Sequence, residues 1–200
     1  NLGAIENRGV ELRTRVVPIS TKQLQWSISA TYAYNKSKIK QISNALMSKN
    51  EENRNATGKA PLPIYEEGGS LTAVKVVPSA GIDPATGREV YIKRDGSYTF
   101  DYDARDKVTF GDESPLGQGS LSSYLTYKQW SASASFGYSF GGVVYNQTLV
   151  TRVEGANPKQ NADERVFNDR WKKPGDYARY RNIADYSTPQ QTSRFVQVNN

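Results

Sequence analysis

The stretch 130–140 constrains the fold more than any other. Trp130, Ala132, Ala134, Phe136, Tyr138 and Phe140 share one parity, and Ser131, Ser133, Ser135, Gly137 and Ser139 share the other. A strand built from it therefore has one wholly apolar face and one small, polar face. The solvent face of a soluble sheet usually carries Lys, Glu or Arg, and here there is none. The apolar face is expected to look outward, into lipid. A strand crossing an outer membrane needs about 9–11 residues, apolar toward lipid and polar toward the lumen, with aromatic girdles at both interfaces. Trp130 and Tyr138 stand eight positions apart, which at about 3.3 Å per residue and a tilt near 40° separates them by roughly 20 Å. The design recurs in Leu24, Trp26, Ile28, Ala30, Tyr32 and Tyr34 against Gln25, Ser27, Ser29, Thr31, Ala33 and Asn35. Trp26 and Tyr34 repeat the girdle spacing.

Low mean hydropathy and the lack of any run of about 18 apolar residues argue against a transmembrane helix, but barrel strands escape both tests because half their residues are polar. The 13 Tyr and 3 Trp suit interfacial girdles or a sugar-contacting surface better than an aliphatic core. Cysteine and histidine are absent, so Cys-based metal sites and Ser-His-Asp chemistry are excluded within this chain. Paired carboxylates with acid/base spacing are missing too, and no enzyme activity or cofactor is expected. The formal charge of +6 permits nucleic-acid binding, but bases alternate with acids, as in Glu164-Arg165 and Asp169-Arg170, without a phosphate-tracking block. Nucleic acid is not an expected partner.

Taken in order, residues 7–17 predict a strand with Val10, Leu12, Thr14 and Val16 opposite Glu11, Arg13 and Arg15. A polar turn through Pro18 leads into the strand at 24–35. Ile39, Ile42 and Leu46 then fall at i, i+3, i+7, which predicts a short amphipathic helix. Asp95-Gly96 between Tyr-rich arms signals a hairpin. Asp101, Asp103 and Asp106 fall short of a calcium loop, because Arg105 stands where an oxygen ligand is needed and the loop glycine is missing. Strands follow at 118–127 and 129–140, and Asp163 is placed to cap a helix through Arg170, with Val166, Phe167 and Trp171 on its packed side. A further strand begins at 193–198. The connections 36–115 and 141–192 are long enough to be functional surface loops.

The ordered motifs Gly81-Ile82-Asp83-Pro84-Ala85-Thr86-Gly87, Gly111-Asp112 before Ser114-Pro115, Leu125-Thr126-Tyr127, Gly141-Gly142 with Tyr145-Asn146, Arg170-Trp171-Lys172-Lys173-Pro174-Gly175-Asp176 and Ser193-Arg194-Phe195-Val196-Gln197 resemble the C-terminal barrel region of SusC/RagA-type TonB-dependent transporters. The opening Glu6-Asn7-Arg8-Gly9-Val10-Glu11-Leu12 resembles the family's strand entry. The resemblance implies an all-β fold: an antiparallel transmembrane β-barrel segment with long extracellular loops, in the outer membrane of a Bacteroidetes-type bacterium. It also implies a SusD-like surface lipoprotein as partner, TonB acting through a plug that these residues do not include, and a possible dimer of transporter–lipoprotein pairs. Signal sequence, plug and remaining strands are missing from the pattern, so a piece of a longer protein is expected.

Sugars and peptides are held by aromatic faces plus a few fixed polar groups. On that ground Tyr91, Tyr98, Tyr102, Trp171, Tyr177 and Tyr180, with Arg170 and Asp176 as polar partners, are the candidate ligand- or partner-contacting residues. Packing is the competing assignment for the cluster Tyr177, Tyr180 and Tyr186. The alternative function is a soluble β-rich glycan-binding module.

Overall fold

The structure is a computed structural model that describes residues 3–56, 58–157, 159–185 and 191–199. In chain order it contains β1 (Gly3–Ser20), β2 (Leu24–Ile42), α1 (Asn44–Asn55), β3 (Ala73–Val76), β4 (Ser79–Ile82), β5 (Glu89–Ile92), β6 (Tyr98–Thr99), β7 (Val108–Asp112), β8 (Gly117–Tyr127), β9 (Trp130–Phe140), β10 (Val143–Tyr145) and β11 (Val196–Val198). No described helix is long and apolar enough to cross a membrane.

β1, β2, β8 and β9 form one antiparallel sheet in that order. Its register aligns the apolar parity of all four strands. Leu12, Tyr32, Gly119 and Tyr138 stand in one row, Thr14, Ala30, Leu121 and Phe136 in the next, and Val16, Ile28, Ser123 and Ala134 below them. Because side chains alternate across a strand, a slip of one residue would exchange the faces, so this agreement fixes the register. Phe136 and Trp130 on the apolar face are 66% and 74% exposed, and β9, at the edge of the open sheet, is exposed on its other face as well.

The polar ends of the outward aromatics are satisfied locally. Trp26 donates its indole N–H to Ser123 Oγ at 2.9 Å, and Tyr138 donates its hydroxyl to the Thr31 carbonyl at 2.7 Å. Gly119 makes the second contact possible, since a Cβ there would lie 2.0 Å from the Thr31 oxygen and 2.7 Å from the Tyr138 hydroxyl. On the opposite face hydroxyls pair with hydroxyls, Thr31 with Ser120 at 2.9 Å and Ser122 with Ser135 at 2.8 Å, which suits a watery lumen.

The first two strands are longer than the alternation predicts. β1 runs past residue 17 to Ser20 because a bulge between Val16 and Ile19 absorbs Pro18 without ending the pairing. β2 runs past residue 35 to Ile42, so Ile39 and Ile42 are strand residues rather than the first turns of a helix. The helix starts later, where the Ser43 hydroxyl accepts from Leu46 N at 3.3 Å. The β8–β9 hairpin turns on Lys128-Gln129, with Lys128 at φ 53°, the left-handed geometry tight hairpins require.

The two long insertions pack into one cap. Val77 N donates to Gln191 O and Ser193 N to Val77 O, both at 3.0 Å, and Asn182 N donates to Gly87 O at 3.0 Å. Gly87 has φ +71°, and a Cβ there would meet the Trp171 ring at 2.4 Å. The cap holds the chain's hydrophobic core: Val150, Val153, Ala156, Val166, Tyr180 and Phe195. Each fully buried Val or Phe among them contributes about 1.5–3 kcal/mol. The helix predicted from Asp163 to Arg170 is a single turn, Arg165–Asn168, with Phe167 49% exposed rather than packed. Asp163 does accept Arg165 N, at 2.9 Å.

Candidate functional site

The cap is organised around a buried ion network. Arg194 clasps Glu89 through Nε and Nη2, each at 2.8 Å, and its Nη2 also reaches Glu154 Oε1 at 3.0 Å. Arg181 Nε meets the same Glu154 oxygen at 2.6 Å. Burial alone would raise the Glu154 carboxyl, but Arg194 and Arg181 outweigh it and hold it below the usual carboxylate range. Beside them Arg170 donates to the carbonyls of Val166, Arg181, Val153 and Glu154. These groups tie β5, the turn Val150–Glu154 and the approach to β11 into one rigid unit.

Four of the predicted site residues are part of this interior. Tyr91 is buried and meets Tyr102 edge to face, with ring centroids 5.5 Å apart. Arg170 is the carbonyl clamp just described, Trp171 is buried with its indole N–H on the Pro84 carbonyl at 2.8 Å, and Tyr180 lies in the core. Their burial assigns them to packing in this conformation. Tyr102 is half-buried, and its hydroxyl is enclosed without a hydrogen-bond partner among the described residues. Burial first, then the charges of Glu89 and Asp103, push that phenol up, so it stays protonated and able to donate.

Of the remaining three, Tyr98 and Tyr177 face solvent and Asp176 is half-buried. Tyr98 is 70% and Tyr177 94% exposed. Asp176 shapes the loop that carries Tyr177, accepting from Lys172 N and Lys173 N at 3.1 and 3.0 Å. Asp176, Tyr177, Lys172 and Lys173 line an open groove of about 530 Å³. A second recess, about 300 Å³, is lined by Arg165, Arg179, Arg194 and Gln197. Exposed aromatic faces beside ammonium, guanidinium and amide groups can hold a polar or anionic ligand. Tyr186 falls outside the described residues, and no group of acidic side chains that could hold a metal ion occurs among the described ones.

Sequence reasoning missed the Glu89–Arg194–Glu154–Arg181 network and Lys107. Lys107 is 1% exposed, with its ammonium on the Arg54 carbonyl at the end of α1 at 3.1 Å. Burial first, then Arg54, bring its pKa down to about 8.

No family model matches the chain. A TonB-dependent receptor of Formosa agariphila is 20% identical over 218 residues, which cover 90% of this chain and 21% of the relative. Two solved structures share the fold across 99% of this chain and 22% of theirs: the RagAB peptide transporter, with a TM-score of 0.74 and 22% identity, and the RagAB peptide importer in its closed-closed state, with 0.76 and 23%. The sequence is thus similar to a TonB-dependent receptor, and the fold is that of the matching stretch of the RagAB transporter. The segment spans about a fifth of the length of these relatives. Its four-stranded sheet corresponds to a stretch of their barrel wall, left unclosed among the described residues at β1 and β9.

Proposed function

We propose that the segment belongs to an outer-membrane TonB-dependent importer that takes up oligosaccharides or peptides together with a SusD-like surface lipoprotein. The observation that carries this reading is the apolar face aligned across four strands, backed by a hydroxyl-lined face and roofed by a packed cap. A soluble module has no use for that outward face, because contiguous apolar surface of this size draws proteins into association or aggregation.

In this reading the hairpin turns at 21–23 and 128–129 face the periplasm and the cap faces the cell surface. Ligand is captured outside, the lipoprotein lids the barrel, and TonB drives rearrangement of a plug contributed by other parts of the protein. Only the external contacts involve this segment. Tyr98, Asp176 and Tyr177 remain the residues proposed to meet ligand or lipoprotein, Tyr98 and Tyr177 because their faces are open and Asp176 because it shapes the loop that presents Tyr177. Neighbours described as peptide transporters favour peptide among the substrates.

Light scattering on the protein extracted from its source membrane, with and without detergent, tests the assignment. A detergent-dependent particle of roughly 100 kDa or more, as a whole receptor barrel requires, carrying a second lipid-anchored subunit, is expected. A detergent-independent species near 22.3 kDa would instead make the soluble glycan-binding module the function.

A further inference from the structure

Above the upper aromatic row, the outward face of β1 and β2 turns abruptly cationic. Tyr34 pairs with Val10, the next outward pair is Lys36 with Arg8, and the one after it is Lys38 with Glu6. Lys40, at the bulge between Ile39 and Gln41, bonds Glu6 at 2.7 Å, and Arg8 Nε donates to the same carboxylate at 2.6 Å. Four cations thus share one acid, and that acid is already engaged by two of them. Lys36 and Lys38 are exposed, and neither forms an ion pair among the described residues. Like charges directly opposite one another in a sheet destabilise the pairing; Glu6 offsets Arg8, but Lys36 opposite it is left without an acid of its own among the described residues.

The height of the belt says which anion. Each outward row is two residues, about 5 Å along the membrane normal at a barrel tilt. Lys36 and Lys38 therefore stand roughly 5 and 10 Å above the Tyr34 row, in and just beyond the headgroup layer that lies about 5–7 Å deep outside the hydrocarbon. The inward side at this height is apolar instead: Ile5 and Ile39 line a recess of about 290 Å³ with Leu46, Tyr65 and Leu71 of the cap. The cations Arg8, Lys36 and Lys38 stand on the outward side, which is continuous with the lipid-facing band.

We propose that Arg8, Lys36 and Lys38 form a binding site for the phosphate groups of outer-leaflet lipid, clamping the barrel wall to the headgroups beneath the cap. The inference rests on the membrane orientation given under Proposed function. Lys ammonium and Arg guanidinium groups make short, charge-assisted hydrogen bonds to phosphate oxygens, and binding supplies Lys36 with the counter-charge it lacks among the described residues.

The test uses the intact transporter in detergent, titrated with diphosphoryl lipid A or with the same lipid after phosphatase treatment, and bound lipid counted by native mass spectrometry. Wild type is expected to retain the phosphorylated lipid preferentially. The double substitution Lys36→Gln/Lys38→Gln should weaken that retention roughly twentyfold, about fivefold per charge removed, while Lys36→Arg/Lys38→Arg keeps it and vouches for folding. Equal retention of phosphorylated and dephosphorylated lipid, or a double substitution that binds as wild type does, would overturn the proposal. So would displacement by inorganic phosphate at concentrations equal to the lipid, which would make the site one for free anion. A wild-type protein that needs no detergent at all overturns the membrane reading itself, and the lipid site with it.

Discussion

Replacing Glu154 by Gln should open the cap without touching the barrel wall. The substitution keeps the side-chain shape but removes the charge that Arg181 and Arg194 share, with Nε and Nη2 at 2.6 and 3.0 Å from one carboxylate oxygen. Arg194 retains Glu89, but among the described residues Arg181 keeps only Asp185, at 3.4 Å and near the surface. Leaving a buried guanidinium uncompensated typically costs about 3–5 kcal/mol. For a unit whose total stability is about 5–15 kcal/mol, the opened population should rise roughly 10²- to 10⁴-fold. Amide hydrogen exchange by mass spectrometry on the whole protein reads this population directly. Peptides covering the turn Val150–Glu154 and Ser193–Phe195 should exchange faster by that factor, and peptides covering β9 should not change. Replacing the pair together, Glu154→Leu with Arg181→Leu, should restore most of the protection, because two apolar groups leave no orphaned charge. Exchange at Val150–Glu154 within threefold of wild type in the single variant would refute the reasoning.

Other perturbations follow from the same geometry. Gly119→Ala should weaken the β2–β8 pairing by about 1–3 kcal/mol and free the Tyr138 hydroxyl from the Thr31 carbonyl, lowering the temperature at which the barrel unfolds on a heat-modifiability gel; an unchanged transition would contradict the 2.0 Å approach. Glu154 is held low in the folded cap, so its stabilisation is full above the unfolded carboxylate value of about 4.3 and is lost as pH falls through the folded value. Cap exchange should therefore accelerate on acidification below about pH 4, and less steeply in Glu154→Gln. Lys107 has the opposite sense: its folded pKa of about 8 lies below the unfolded value of about 10.4, so stability rises with pH between the two. Lys107→Met should accordingly stabilise the cap at pH 7 by about 1–2 kcal/mol, an advantage that fades above pH 9. Tyr177→Ala and Tyr98→Ala in the intact transporter should each reduce ligand or lipoprotein binding severalfold, whereas wild-type binding in both would return those side chains to the plain surface.

The membrane wall was legible because one rule, period-2 alternation, governs every residue in it. Trp130 to Phe140 and Leu24 to Tyr34 carry their faces in the sequence, and the girdle spacing of Trp26 and Tyr34 gives the height. The exit from the membrane was less legible. Lys36-Ser37-Lys38-Ile39-Lys40 continues the strand with Ile39 buried against the cap, yet Ile39, Ile42 and Leu46 happen also to fit a helical period. The cap was opaque for another reason: it is made by contacts between insertions, such as Glu89 with Arg194 across 105 positions, which no local window contains. Tyrosine type alone did not separate Tyr91 and Tyr180, which are buried, from Tyr98 and Tyr177, which are open. Arg170 is picked out by the sequence as a polar partner for ligand and Arg181 is not picked out at all, because the carbonyls and the distant carboxylate that hold them lie outside any local window.

The central claim, that the aligned apolar face meets lipid and the hydroxyl face meets water, is tested most directly by nitroxide scanning of residues 130–140 in the whole protein reconstituted in bilayers. Cysteine is absent from this chain, so single positions can be introduced within it one at a time. The account predicts that labels at 132, 134, 136 and 138 relax with dissolved oxygen and those at 131, 133, 135 and 139 with a water-soluble nickel chelate, in strict alternation. Chelate access at Ala134 and Phe136, or no alternation along the strand, would contradict it.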